Sequence, residues 1–392
     1  MQYFLQKYKY LFKRKNGSSH VFLWMKCIKH LISPDVCVII RKKEYDMKIK
    51  LIGITAALAL MLSLCACGNN RDGIYMRTYV GCFDTVSFIK GYAENERKFE
   101  EYAALFHERL KYYDALYDIY DEYDFPNLKT VNDKAGGDPV EVSQDIVDML
   151  DFSVRMYELT AHKTNIAMGA VLEIWHDCRE DGNKKPQEAR LPTDSELADA
   201  AMHTDISRLE VDRENLSVRL ADSRMRLDVG AVAKGFSAQK VAEELRAAGF
   251  ANGIISIGGN TVAIGSRKDA DVWRIGIREP SSGSDEEYFI KVGLSDMSLV
   301  TSGSYQRFYT VNGKKYHHII DPGTLMPAEG YLSVSVISAD SGIADALSTA
   351  LFCMDINEGL RLVEDLDNVY AVWVKSDGTV VESKGFDNFV VG

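Results

Sequence analysis

The sequence predicts an α+β fold, with mixed and antiparallel sheets flanked by helices. Three features point there. Short β-branched stretches arrive in meanders with helices grouped between them, where a doubly wound sheet would alternate strand and helix. A turn at Asp212 to Asn215 between two alternating stretches marks a hairpin. No internal repeat or low-complexity segment divides the chain, and the roughly 320 residues past Cys67 suffice for one large core or two intimate ones.

The N-terminus is read apart from the fold. Residues 1–46 are basic and aromatic without steady periodicity. They read as translation from a start placed too far upstream; the other reading is a cytoplasmic extension. From Met47, MKIKLIGITAALALMLSLCACGNN joins two lysines, an apolar run and small residues. That is a secretory signal over 47–66, too short to be a stable spanning helix. Leu64-Cys65-Ala66-Cys67 has the aliphatic-x-small-Cys pattern of bacterial lipoprotein cleavage, with Cys67 as the lipidated first residue. An ordinary secretory signal with incidental cysteines is the alternative. Residues 67–75 then form a tether and 76–392 the working body, anchored by lipid at the extracytoplasmic face of the cell membrane.

Charge agrees with this division. Residues 1–50 hold 12 of the 46 Lys and Arg but 3 of the 57 Asp and Glu, so the body is strongly acidic. Such a body repels phosphate backbones, which excludes nucleic acid as an electrostatic partner. Past Cys67 only Cys82, Cys178 and Cys353 remain, too few and too scattered for a disulfide framework or a zinc site.

Along the body, residues 76–92 alternate as a strand. A helix over 95–120 carries Phe99, Tyr102, Leu105, Leu110, Tyr113 and Leu116 at helical spacing. Residues 121–142 are too polar for a core and read as a loop. Helices are expected over 144–160 and, interrupted by Gly169, over 165–175. Residues 176–195 are charged, contain Pro186 and Pro192, and read as a surface excursion. A short helix near 194–203 leads to a hairpin over 207–220. Residues 227–250 show a strand end, a glycine turn and a helix to Ala248, stopped by Gly249. The apolar strand GIISIGGN precedes strands at 272–277, 287–293, 306–311 and 332–337. A helix opens at Ser341, another covers 356–365, and strands at 369–375 and 379–382 close the chain.

Four segments hold residues suited to chemistry. Asp345 and Thr349 stand one helical turn apart, so their oxygens share a face beside the small Ala346 and Ala350. A carboxylate and a hydroxyl so placed suit a hard cation such as Mg²⁺, which takes few protein oxygens plus phosphate and water. The alternative is a buried helix whose Asp bonds a nearby backbone amide. Residues 228–235 turn into a helix where amides favour an anion and Lys234 adds a point charge, or simply cap that helix. They lack the GxxxxGK[ST] spacing of a P-loop. Gly258-Gly259-Asn260 lets backbone pass close to a ligand, or makes a bulge. Thr301-Ser302-Gly303-Ser304-Tyr305 supplies hydroxyl and amide donors, or only a turn. A Ser nucleophile is not supported, since there is no nucleophile elbow and His318 is the one convincing His partner.

In order, LDVGAVAKG (227–235), GGN (258–260), TSGSY (301–305), HIIDPGTLMP (318–327) and ADALSTA (344–350) resemble the ApbE family. These are flavin transferases that move FMN from FAD onto a protein Thr or Ser. The resemblance covers the chain from about residue 76 to 390 and implies an ApbE-like (T-fold-like) architecture. It implies Mg²⁺ on Asp345 and Thr349, with the Ala231 carbonyl as a further ligand and Ser348 beside them. FAD would contact Asp228, Lys234 and the backbone around Ile319. Tyr120 is the candidate for stacking on a flavin or adenine ring, and Phe83 for a nucleotide contact near the first strand. The family's GaFD is here His162-Lys163-Thr164-Asn165, so Lys163, Thr164 and Asn165 take the cofactor-side position with Asn in place of Asp. Gly323 and Leu325 replace the Arg and Gly of the family's DPrtG.

The implied reaction is attack of an acceptor hydroxyl on the FMN-side phosphorus of FAD, with AMP leaving. His318 is the candidate base because an unperturbed imidazole titrates near neutrality; the alternative is that it only holds the Asp321 turn. His317 reads as a bystander. The implied acceptors are exported or membrane redox proteins with a Thr or Ser for flavinylation. Two rivals are a FAD pyrophosphatase giving FMN and AMP, and a non-catalytic flavin-binding lipoprotein.

Overall fold

The computed structural model describes residues 73–280, 288–305 and 307–392. The expected upstream extension, the signal peptide, Cys67 and most of the tether lie outside them. The first element is a hairpin of β1 (Ile74–Val80) and β2 (Val86–Tyr92), paired from Ile74–Tyr92 to Val80–Val86. The single strand expected over 76–92 is therefore two, because Gly81 at φ 115 and a turn through Cys82–Asp84 reverse the chain. β1 begins at Ile74, two residues before the expected strand start at 76.

Helix α1 (Glu96–Tyr117) is capped by Asn95, whose side chain accepts from the Lys98 amide. It buries Phe99, Tyr102, Phe106, Leu110, Tyr113 and Leu116; Phe106 takes the core place expected of Leu105, which is half-buried. Within the expected loop lies α2 (Leu128–Asp133), with an Asn127–Thr130 capping box and fully buried Leu128 and Val131. Its six residues are too few to show a period, so burial from outside made the helix. Then come β3 (Val140–Glu141), α3 (Gln144–Leu159) and α4 (Gly169–Lys184). α4 corrects two expectations: Gly169 begins the helix, and its second half lies in the stretch read as a surface excursion. α5 (Asp194–Ala201), with a Thr193–Glu196 capping box, precedes the expected hairpin of β4 (Leu209–Asp212) and β5 (Ser217–Leu220).

The second half holds α6 (Ala233–Ala247), β6 (Gly253–Ile257), β7 (Asn260–Ile264), β8 (Trp273–Arg278) and β9 (Tyr288–Leu294). After them run β10 (Ser298–Gly303), β11 (Phe308–Val311), β12 (Lys314–His317), β13 (Tyr331–Ser338) and α7 (Ser341–Phe352). α8 (Ile356–Glu364), β14 (Val369–Lys375) and β15 (Val380–Glu382) complete the order. β7, β10 and β12 have no counterpart among the expected strands.

Eight strands form the main sheet in the order β1-β2-β6-β7-β10-β13-β14-β15, every neighbouring pair antiparallel. Both faces are covered. Ile255 and Ile257 of β6 join the core under α1, α3 and α6, whereas Ile254 joins Trp273, Ile277 and Val292 of the β8–β9 hairpin on the opposite face. Period-2 alternation thus feeds two cores, which is why every residue of β6 is buried. α7 and α8 pack on β13 and β14 around Trp373.

Candidate active site

The candidate site forms where α6 begins and α7 passes it. Gly235 permits the approach: a Cβ there would lie 2.3 Å from the Ser341 carbonyl oxygen and 2.4 Å from Asp345 Cβ. α6 has no side-chain cap of its own, and its first-turn amides lack helical partners. The Gly235 amide donates instead to Asp345 Oδ2 at 2.7 Å. Asp345 is 3 % exposed. Burial raises its carboxyl pKa, while Lys234, the Gly235 amide and Asn260 pull it down. Asn260 Nδ2 is itself buried without a hydrogen-bond partner, so its pull on the carboxylate is a loose approach.

Hydroxyls gather beside Asp345. Ser348 Oγ, fully buried, donates to the Asp345 carbonyl at 2.9 Å and lies 2.8 Å from Ser302 Oγ. Ser302 Oγ also lies 3.3 Å from Thr349 Oγ1. Among the described residues no backbone amide donates to the Ala231 carbonyl, and no three His, Cys, Asp or Glu side chains converge as metal ligands. What stands at the α6–α7 junction is a set of hard oxygens around a desolvated carboxylate, which fits Mg²⁺ and which a cation would stabilise. The amide-bonding reading of Asp345 is met as well, through Oδ2 alone.

A cationic rim adjoins these oxygens. Asp228 Oδ1 accepts from the Gly230 amide at 2.8 Å, and Lys234 Nζ donates to the Gly230 carbonyl at 3.3 Å. Desolvation raises the Asp228 pKa, against the Gly230 amide, His176, Lys234 and Arg179. Tyr120, just past the C-terminus of α1, sets its ring 5.4 Å from that of His176, and Arg179 Nη2 lies 2.9 Å from His176 Nδ1. The residue is 60 % exposed, yet its phenol is pushed up to about 12, by desolvation of the hydroxyl and then by Asp228.

His318 completes the rim. Its Nδ1 lies 3.2 Å from the Arg307 carbonyl, which can only accept, so Nδ1 carries the proton and Nε2 the lone pair. The expectation of an ordinary pKa is corrected: desolvation, then Arg307, Lys234 and Arg179, push the imidazole down to about 3 against the Arg307 carbonyl bond. Nor does His318 hold the Asp321 turn. That turn is held by the Gly323 amide at 2.9 Å and Lys163 Nζ at 2.8 Å on Asp321 Oδ1. His317 does structural work, with Nε2 2.8 Å from the Ala328 carbonyl and Nδ1 accepting from the Ile319 amide.

Other expected contacts are committed to the scaffold. Thr164 is 1 % exposed and donates to the Ala346 carbonyl at 2.8 Å, tying its loop to α7. Asn165 bonds the Thr204 carbonyl and the Ala167 amide, and Lys163 is paired with Asp321. The Ile319 carbonyl accepts from Ala328, so both its backbone groups are engaged. Phe83 sits at φ 52 with its amide on Asp114 Oδ1, half-buried against the main core in the β1–β2 turn. Thr85 of that turn packs against Gly258 (φ 57), which joins the turn to the paired glycines. Leu325 adopts φ 61, the left-handed region that the family's glycine enters without cost. His176, Arg179 and Arg307, which the sequence did not single out, line this rim, and Ser302, one of the expected hydroxyl donors, stands between Ser348 and Thr349. Extending the helical period past Trp175 would have found the first two, at i+1 and i+4.

The ApbE family model matches residues 83–373. The FAD:protein FMN transferase of Treponema pallidum is 33% identical over 274 residues, 66% of this chain and 73% of that protein. The one from Haemophilus influenzae is 29% identical over 345 residues, 85% and 96% of the two chains. Among solved structures, the ApbE protein of Thermotoga maritima superposes with a TM-score of 0.72 at 26% identity, covering 81% of this chain and 100% of that one. The flavin transferase ApbE of Vibrio cholerae superposes at 0.65 and 24% identity, over 81% and 99%.

Proposed function

Since this chain belongs to the ApbE family, we propose that it moves FMN from FAD onto a Thr or Ser hydroxyl of exported or membrane-bound redox proteins, releasing AMP. The observation that carries the reading is the meeting of two sets at the start of α6. On one side are the oxygens of Asp345, Thr349, Ser348 and Ser302; on the other are Lys234, Arg179, Arg307 and His318.

The acceptor oxygen bonds to the FMN-side phosphorus, the bond from that phosphorus to the bridging oxygen breaks, and the electron pair leaves on AMP. Lys234, Arg179 and Arg307 hold the pyrophosphate by charge. Desolvation first, and then those same cations, keep the His318 imidazole neutral, so Nε2 is free to take the acceptor proton. The phosphates of bound FAD offset the cations and raise the proton affinity of His318 toward its working range. Asp345, Thr349 and the Ala231 carbonyl, with Ser348 beside them, would hold Mg²⁺, which when bound would supply charge neutralisation for the phosphate oxygens. Tyr120 is exposed enough to stack on an aromatic ring of the dinucleotide. The signal sequence and Cys67 support a lipid anchor at the extracytoplasmic membrane face, and Cys67→Ala then releases the protein from membranes.

The test incubates the purified protein with FAD, Mg²⁺ and an exported redox domain from the same genome. A flavin-fluorescent acceptor band that needs Mg²⁺, appears with AMP and is absent in Asp345→Ala supports transfer. AMP and FMN without a labelled acceptor would replace transfer by FAD hydrolysis. Intact FAD would leave a non-catalytic flavin-binding lipoprotein.

A further inference from the structure

The loop after α1 is ordered, acidic and aromatic, and the chemistry above uses only its Tyr120. Asp118 Oδ1 accepts the amides of Tyr120 and Asp121, and the Tyr123 hydroxyl donates to Asp118 Oδ2 at 3.2 Å. From beneath, fully buried Asn127 donates to the carbonyls of Ala115 and Asp121. The backbone is pinned, yet Tyr123 and Phe125 are 41% and 38% exposed, their rings stacked 5.7 Å apart. Around them stand Asp121, Glu122 and Asp124, with no Lys or Arg in the sequence between Lys111 and Lys129. Glu122 has a distant contact with Lys129 at 3.8 Å; among the described residues Asp121 and Asp124 make no ion pair. Tyr120, whose ring lies 5.4 Å from that of His176 at the rim of the cleft, joins this ledge to the site.

We propose that Tyr123, Phe125, Asp121, Glu122 and Asp124 form a docking ledge for a basic segment of the acceptor protein. Arg and Lys side chains of that segment stack on the two rings and pair with the carboxylates. A ledge of this charge repels anionic lipid and a second copy of this acidic chain. Because its loop is held in place before binding, little ordering cost remains when the segment arrives. The proposal rests on the transferase reading for the identity of the occupant.

The test measures fluorescence anisotropy of two synthetic peptides, identical around one central Thr, flanked by Arg and Lys in one and by Glu in the other. The protein is expected to bind the basic peptide, more weakly as NaCl rises. Asp121→Asn/Glu122→Gln/Asp124→Asn and Tyr123→Ser/Phe125→Ser should each weaken it by about tenfold or more, with FAD affinity unchanged as the check on folding. Equal affinity for both peptides, no binding of either, or variants that bind like the wild type would overturn the ledge. Binding needs no turnover, so a protein that binds through the ledge but transfers no FMN overturns the transferase reading instead.

Discussion

Asp345 joins two demands that a pair of substitutions separates. As a hydrogen-bond acceptor it satisfies the Gly235 amide at 2.7 Å in a site where Asp345 is 3 % exposed. As a charge it is desolvated, and its pKa is raised. Asp345→Ala removes the acceptor and leaves a buried amide unpaired, a cost of about 1–3 kcal/mol. Asp345→Asn keeps an oxygen for that amide and removes only the charge. A carboxyl whose folded pKa is raised contributes stability at low pH that is lost as pH rises through that pKa. In the metal-free protein, Asp345→Asn should therefore match or exceed the wild-type melting temperature at neutral pH and flatten its decline as pH rises. Under the proposed Mg²⁺ binding, the ion at about a hundred times its Kd should stabilise the wild type by about 2.7 kcal/mol, and both variants should lose that response. The assay is thermal unfolding with and without Mg²⁺ across neutral and mildly acidic pH. An alanine variant as stable as the wild type, or an asparagine variant that keeps the Mg²⁺ response, would refute the reasoning.

His318 titrates from a depressed folded pKa, so the unfolded chain takes up a proton near 6.5 while the folded one waits until about 3. Stability contributed above 6.5 is lost as pH falls between those values, and His318→Gln should flatten that acid-side loss in pH-dependent melts. In the wild type, the acid limb of kcat should lie at higher pH than that of kcat/KM, because bound FAD offsets the neighbouring cations; coincident limbs would count against the proposed coupling. Gly235→Ala places a Cβ 2.3 Å from the Ser341 carbonyl oxygen. Overpacking of that kind costs about 1–3 kcal/mol and should lower the melting temperature and FAD turnover together. Thr164→Val removes the bond to the Ala346 carbonyl, at about 1 kcal/mol, and should leave FAD affinity by titration unchanged; a large loss of affinity would return Thr164 to the cofactor site.

Elements with local signals were legible. α1 announces itself by the Asn95 cap and apolar period, and the β4–β5 hairpin by its turn residues. Elements made by tertiary burial were not. α2 exists because Leu128 and Val131 fit the core and Asn132 bonds both backbone groups of Leu227, 95 residues away. The second half of α4 carries its charges on a solvent face, which hid His176 and Arg179 inside a stretch that reads as surface.

By itself the sequence determined which groups were available for the chemistry. The Asp–Thr spacing of α7, the lysine at the start of α6, the paired glycines and the His before the Asp-Pro turn are local patterns, and each limits what can be built around it. Only the tertiary structure decided which of these groups act together and which are spent on the scaffold. Whether Thr164 meets a ligand or the Ala346 carbonyl, 182 residues on, and whether His318 titrates near neutrality or far below it under burial and the charges of Arg307, Lys234 and Arg179, depends on which groups the fold brings together. Hydrogen bonding and desolvation act over a few ångströms of space, and linear spacing does not record them.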